Sequence, residues 1–159
     1  MSMTVYNVQT NPDLSDWAAL ELLLRQAYAP MEGRIDPPSF LTGMTRDDIA
    51  RKAAEEDLFL IREQTRPVAC GFGHQDGTFY EIGKLAVAAT HRRRGLARHM
   101  MDAATTRART LGLAGLQLYA RIELVENHAT YRALGFQQVA EFSHPGFTHP
   151  TALIFRRAL

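Results

Sequence analysis

One segment constrains this chain more than any other: a β-favouring run TFYEIGKLAVA at 78–88, a short loop ending in three arginines, then Gly95 and a stretch of helical spacing that stops at Gly112. Leu96, Met100, Ala103, Ala104 and Ala108 recur at the interval that builds one face of a helix, and glycine is the residue type that commonly ends one. A strand that feeds a helix through a tight turn demands a sheet with that helix laid across it. It also leaves the first backbone N–H groups of the helix unpaired, and these carry partial positive charge that binds anions. Gly95 permits close approach to the backbone and Ala97 keeps the next turn narrow. Arg92, Arg93 and Arg94, beside His91, add side-chain charge that can clamp an anion's remaining oxygens.

The basic charge is local. With 18 Lys and Arg against 17 Asp and Glu, the net charge of +1 gives the whole molecule no general attraction for nucleic acid, and no broad basic face with interleaved aromatics is present. At 159 residues, 46% of them hydrophobic, the chain reads as one domain spanning 1–159 with enough apolar side chains for a core and a cleft. Cys70 is the only cysteine, which excludes an intrachain disulfide and a cysteine-based zinc site and fits a reducing cytoplasm. The opening MSMTVYNVQTNPD has neither a basic nor an apolar leader region, and no uncharged apolar run approaches ~18 residues, so no membrane partner is expected.

The remaining chain alternates strand and helix signals. Val5, Tyr6 and Val8 sit in a short β run that Asn11-Pro12-Asp13 breaks. A helix is predicted over 14–29, with Trp17, Leu20, Leu24 and Tyr28 on one packed face. The segment 30–42, with Gly33, Pro37 and Pro38, reads as a loop of the kind that walls a substrate site. Thr45 with Asp48 forms a capping-box variant that opens a short helix to about Glu56. Strands follow at 58–63, 68–74 and 78–88, then the long helix, a strand at 116–122, a helix at 126–134 stopped by Gly135, and strands at 136–142 and 151–157. The order β-α-α-β-β-β-α-β-α-β-β describes an α/β (α+β) fold with one mixed, mostly antiparallel sheet flanked by helices.

LAVAATHRRRGLARHMM resembles the signature of the GNAT superfamily of acyl-CoA-dependent N-acetyltransferases. That signature is an apolar strand ending in Leu-x-Val, then Arg or Gln, two residues, Gly, one residue, and Gly or Ala; here these are Leu85, Val87, Arg92, Gly95 and Ala97. A second signature, a helix with tyrosine four residues before Gly-Phe, resembles Tyr131 to Gly135-Phe136. The element order is similar to that family from Val5 to Arg157. Dinucleotide fingerprints and the Walker loop both need glycines that this segment lacks.

The resemblance implies a function and a set of residues. The cosubstrate is acetyl-CoA, with no metal; Leu85, Ala86 and Val87 pair with its pantetheine arm, and Arg92, Arg93, Arg94, Gly95, Leu96 and Ala97 cradle its pyrophosphate. The N–H of Val87 polarises the thioester carbonyl, where amine attack builds an oxyanion. The acceptor is a primary amine of a small molecule or a peptide, and a homodimer is a reasonable assembly. The other reading is a domain of the same fold that holds acyl-CoA as a sensor or scaffold without turnover.

An acceptor ammonium has a pKa near ~10.4, so a base or a water relay must take its proton. Glu81 is the first candidate, fourteen residues before Gly95, a spacing similar to that of the strand glutamate in the histone-acetylating branch of the family. Glu123 is the alternative base. Tyr119, Arg121 and Glu123 share a strand face by period-two alternation and, with Tyr28 and His128, are candidate acceptor contacts; for His128 and Glu126 a capping or surface role is the competing reading. Tyr131 is the candidate acid for the departing thiolate, its rival role being a core aromatic. Asn127 stands a turn away from the family's usual asparagine and inherits no contact. His144-Pro145 and His149-Pro150 lack a third ligand and are read as rigid corners rather than a metal site.

Overall fold

The computed structural model describes residues 5–159; the first four residues of the opening segment lie outside them. Seven strands form one sheet: β1 (Val8–Thr10), β2 (Asp57–Glu63), β3 (Arg66–Asp76), β4 (Phe79–Val87), β5 (Gly115–Arg121), β6 (Gln137–Phe142) and β7 (Ala152–Ala158). Their order across the sheet is β1-β2-β3-β4-β5-β7-β6, antiparallel throughout except where β4 meets β5. Four helices cover it: α1 (Trp17–Tyr28), α2 (Arg46–Glu55), α3 (Leu96–Thr110) and α4 (Val125–Ala133).

Both faces of the central strands are covered, which is why LFLI in β2 is an unbroken apolar run. Phe59 and Ile61 join the core under α3 with Tyr80, Met100, Met101 and Phe155, while Leu58 and Leu60 point the opposite way and join Leu20, Leu24, Ile49 and Phe72 under α1 and α2. Burying side chains of this size stabilises by roughly 1.5–3 kcal/mol each relative to exposure. The capping box forms as the sequence predicts, with Thr45 Oγ1 accepting from Asp48 N–H at 3.1 Å and Asp48 Oδ2 accepting from Thr45 N–H at 2.8 Å. The loop at 30–42 contains only two 3-10 turns, at Ala29–Met31 and Phe40–Gly43.

β1 is shorter than its sequence suggests. Only Val8, Gln9 and Thr10 find partners on β2, and Asn11 then ends the pairing by turning its side chain to Asp57 Oδ1 (2.8 Å) and to the N–H of Leu58 (2.7 Å). Asp57 Oδ2 accepts from the Tyr80 hydroxyl at 2.6 Å and from Arg107 Nε at 2.9 Å, so this junction of β2, β4 and α3 is fully paired. The Tyr80 ring lies over Gly73, where a Cβ would sit 2.3 Å from it; no larger residue fits there.

Two irregularities in β4 shape the rest. Cys70 pairs with Ala86 and Phe72 with Gly83, so Lys84 and Leu85 together face Gly71, a β-bulge with Lys84 at φ 50°. The extra residue reverses the alternation: Tyr80 and Ile82 pack on the α3 side before it, Leu85 and Val87 after it. The second irregularity is that β5 leaves. Parallel pairing holds only from Phe79–Glu81 to Gly115–Gln117, after which β5 continues beside β7 and the sheet splits open.

Candidate active site

The split is a cleft of about 1070 Å³ whose walls are Ile82–Val87 of β4 and Leu118–Arg121 of β5. At its wide end stands the start of α3. Gly95 caps this helix at φ 77°, a conformation that costs any L side chain, and a Cβ there would meet no neighbouring atom, so the space over it is open. The first helical bond runs from His99 N–H to Gly95 C=O at 3.1 Å and no side chain caps the helix. The amides of Leu96, Ala97 and Arg98 are therefore the free donors of a helix N-terminus, beside the exposed Arg92 and Arg93. The loop is pinned from behind: His91, buried, bonds Glu63 Oε2 at 2.8 Å and holds that carboxyl below the usual range.

Not every residue of the arginine triplet reaches the cleft. Arg94 donates to the Tyr6 hydroxyl at 2.9 Å and does not line the cavity, because Arg93 at φ 63° turns the chain between them; Arg98, one turn into α3, lines it instead. That substitution follows from helix geometry, since the first turn presents its side chains around the same end as its free amides.

Further in, Ala88 donates its N–H to the Val68 carbonyl at 2.8 Å, so by strand alternation the N–H of Val87 points away from β3, into the gap that β5 has vacated. Glu81 lies at the narrow end, paired across to His74 on β3 and Gln117 on β5. Its Oε1 accepts from Gln117 Nε2 at 2.9 Å, and its Oε2 is 3.8 Å from His74 Nε2. Tyr131 of α4 lines the opposite wall; burial pushes its phenol up to about 12, so it keeps its proton at neutral pH. The same ring also packs on Phe136 and Phe155, so the core reading of Tyr131 holds as well.

The candidate acceptor contacts divide. Tyr28, its phenol pushed upward by burial, and Tyr119, half-exposed with its ring edge on Phe142, line the cleft. Arg121 lines it too but donates to the carbonyls of Pro37 (2.6 Å) and Pro38 (3.3 Å), so it ties the 30–42 loop down. Glu123 and His128 do not line the cavity. Glu123 Oε2 accepts from the N–H of Asp36 at 3.0 Å, and His128 is buried against Phe155 with Nε2 on the Arg121 carbonyl at 2.8 Å; both brace the loop and α4 rather than face an acceptor. Glu126, at the rim, forms a bidentate pair with Arg34 at 2.6 and 3.1 Å. His144 reaches the cleft while His149 does not, and no group of three His, Cys, Asp or Glu among the described residues is arranged to hold a metal. Also among them, no helix is long and apolar enough to cross a membrane.

Lys84 was not among the expected residues. At the bulge it projects into the cleft that Glu81 also lines, its Nζ 3.4 Å from Ser39 Oγ and 5.8 Å from the centre of the Tyr28 ring. Burial, helped by the charges of Lys52 and Arg121, pulls its ammonium down to about 8.

Comparison with known proteins agrees with this geometry. An acetyltransferase from Streptococcus agalactiae superposes with a TM-score of 0.72 at 15% identity, covering 97% of this chain and 98% of that one. The ribosomal-protein-S18-alanine N-acetyltransferase of Escherichia coli gives 0.69 at 17% identity, covering 97% and 94%. A Bacillus subtilis acetyltransferase in complex with CoA gives 0.69 at 14% identity, covering 98% and 99%. At these identities the likeness is one of fold, and no curated protein matches the chain in sequence. The sequence profile of the Acetyltransferase (GNAT) family, however, matches residues 17–136, from the first residue of α1 to the Gly-Phe step after α4. The chain therefore belongs to the GNAT acetyltransferase family and is an acyltransferase.

Proposed function

We propose that the protein moves an acetyl group from acetyl-CoA to a primary amine of a small molecule or peptide by direct transfer. One observation carries this reading: a single cleft holds free helix-terminal amides with arginines at one end, a carboxylate at the other, and a strand N–H aimed into the gap between them. Arg92, Arg93, Arg98 and the amides of Leu96 and Ala97 suit a pyrophosphate, and the exposed edge of Leu85–Val87 suits the amide groups of pantetheine. The Val87 N–H stabilises the oxyanion that forms when the amine attacks the thioester carbon.

The protons balance through Glu81 and Tyr131. Glu81, directly or through a water, takes the proton that the ammonium must lose; the amine attacks and the C–N bond forms, the C–S bond breaks as the Tyr131 hydroxyl protonates the leaving thiolate, and the second proton of the attacking nitrogen passes through water to the Tyr131 oxygen, leaving the neutral amide. Gln117 holds the Glu81 carboxylate in place, and His74 Nε2 lies 3.8 Å from its other oxygen. Cys70 is buried and its thiol is pushed up to about 12 by burial, which makes it a poor nucleophile and favours a direct path over an acyl-enzyme. Thiol release from acetyl-CoA with a library of primary amines tests the reading: acceptor-dependent release that Glu81→Gln and Tyr131→Phe each slow supports it, and undiminished turnover in both variants removes these two roles.

A further inference from the structure

Resting on the acetyl-transfer reading above, we propose that the acceptor is zwitterionic: a small amine that also carries a carboxylate, with its ammonium toward Glu81 and its carboxylate on Lys84 Nζ beside the Ser39 hydroxyl. The placement comes from the backbone. In an unbroken strand, residues three apart face opposite sides, yet Glu81 and Lys84 both line the cleft because the bulge at Lys84–Leu85 reverses the alternation between them. Lys84 is held there at φ 50°, left-handed backbone that a lysine rarely adopts, and Gly71 opposite is kept bare so that Leu85 can cross it, a Cβ there falling 2.9 Å from Leu85 Cδ2. The bulge places this one cation on the cleft side of the strand.

Lys84 has no counter-ion within the chain as described. Its single polar contact is Ser39 Oγ at 3.4 Å. Of the charged groups that act on it, Lys52 and Glu56 pair with each other at 2.6 Å and Arg121 bonds the Pro37 and Pro38 carbonyls. A largely buried ammonium without a partner is costly unless a ligand brings the opposite charge. One unpaired cation matches one carboxylate; a dianionic phosphate would leave charge uncompensated. A peptide N-terminus, whose first carbonyl is an amide, would leave Lys84 unmatched too.

The test compares, at saturating acetyl-CoA, each of the common amino acids with its carboxamide, its decarboxylated amine and an aminoalkyl phosphate. The carboxylates should lead by about 10- to 100-fold in kcat/KM, the worth of one charge-assisted contact. Lys84→Met should collapse that preference toward unity and Lys84→Arg should retain part of it. Equal or better use of the carboxamides, the decarboxylated amines or the phosphates overturns the proposal, as does a Lys84→Met variant that slows every amine by the same factor. If no member of the panel is turned over, NMR of the 13C-dimethylated lysines decides. The Lys84 signal, identified by its loss in Lys84→Met, should titrate near 8 and move up with an N-acetyl amino acid plus CoA but not with the N-acetyl carboxamide; a signal unmoved by both sinks the idea. Calorimetry of acetyl-CoA with the wild type keeps the two levels apart, because absent binding defeats the transferase reading itself, and retained binding in Lys84→Met shows the variant folded.

Discussion

Asp57 and Lys84 are both charged groups drawn into the sheet, on β2 and β4, and the chain treats them in opposite ways. The two Asp57 oxygens take donors from three different places in the chain, Oδ1 from Asn11 after β1, and Oδ2 from Tyr80 on β4 and Arg107 on α3. Burial raises the Asp57 carboxyl, but those three donors outweigh it and hold the group below the usual carboxylate range. Lys84 has one long contact to a hydroxyl and is pulled the other way, toward its neutral form. A charge that the fold completes is structural; a charge that the fold leaves incomplete, on strained backbone, in a cleft, is kept for something that arrives.

The largest expected effect separates these two roles. Asp57→Ala strands the buried Tyr80 hydroxyl and Arg107 together and should cost about 2–4 kcal/mol in urea unfolding, while CoA affinity stays within about twofold. Its pH dependence has a fixed sign. Because the folded-state pKa is depressed, the Asp57 contribution is fully present above the unfolded value of about 3.9 and is lost as pH falls through the lower folded value, so wild type and variant should converge in acid.

In the cleft the pattern inverts, with chemistry lost and stability kept. Glu81→Gln and Tyr131→Phe should each lower kcat by roughly 100-fold with CoA affinity and the unfolding midpoint unchanged, and Glu81→Gln should also erase the acidic limb of the rate profile. The smallest effect is the sharpest test of the contrast. Lys84→Met should stabilise the free protein at pH 7 by about 1 kcal/mol, after discounting the shift for partial exposure to the cleft. The sign follows from proton counting: with Lys84 near 8 folded and about 10.4 unfolded, the unfolded chain binds the extra proton between those values, so the penalty is full below 8 and gone above about 10.4. Unfolding of both proteins at pH 7 and pH 10.5 should show the advantage of the variant disappear.

Much of this was legible in the residues. The helical spacings, the Thr45–Asp48 box, the arginine loop into Gly95 and the tyrosine before Gly135-Phe136 are local signals, and local hydrogen bonding realises them. What escaped is what depends on pairing between strands. Alternation counted along β4 puts Lys84 on the α3 side; only the register against β3 reveals the extra residue, although Gly71 and Gly83 flanking it are the residue type that marks bulges. Arg94 escaped for a related reason, since its partner Tyr6 lies far away in sequence beyond β1. Glu123 fits the periodicity of a site face and His128 follows close behind it, but the Asp36 amide and the Arg121 carbonyl claim them.

The central claim is that the α3 end of the cleft holds the pyrophosphate of acetyl-CoA, and isothermal titration calorimetry tests it most directly. Acetyl-CoA and free CoA should bind the wild type with one site per chain. Arg92→Glu combined with Arg93→Glu should weaken both about 100-fold or more, and Gly95→Val should weaken both as well, because its φ of 77° cannot be kept. The matched control Arg94→Glu, whose side chain faces Tyr6, should change affinity far less. Undiminished CoA binding in the Arg92, Arg93 and Gly95 variants would place the cofactor elsewhere and contradict the account.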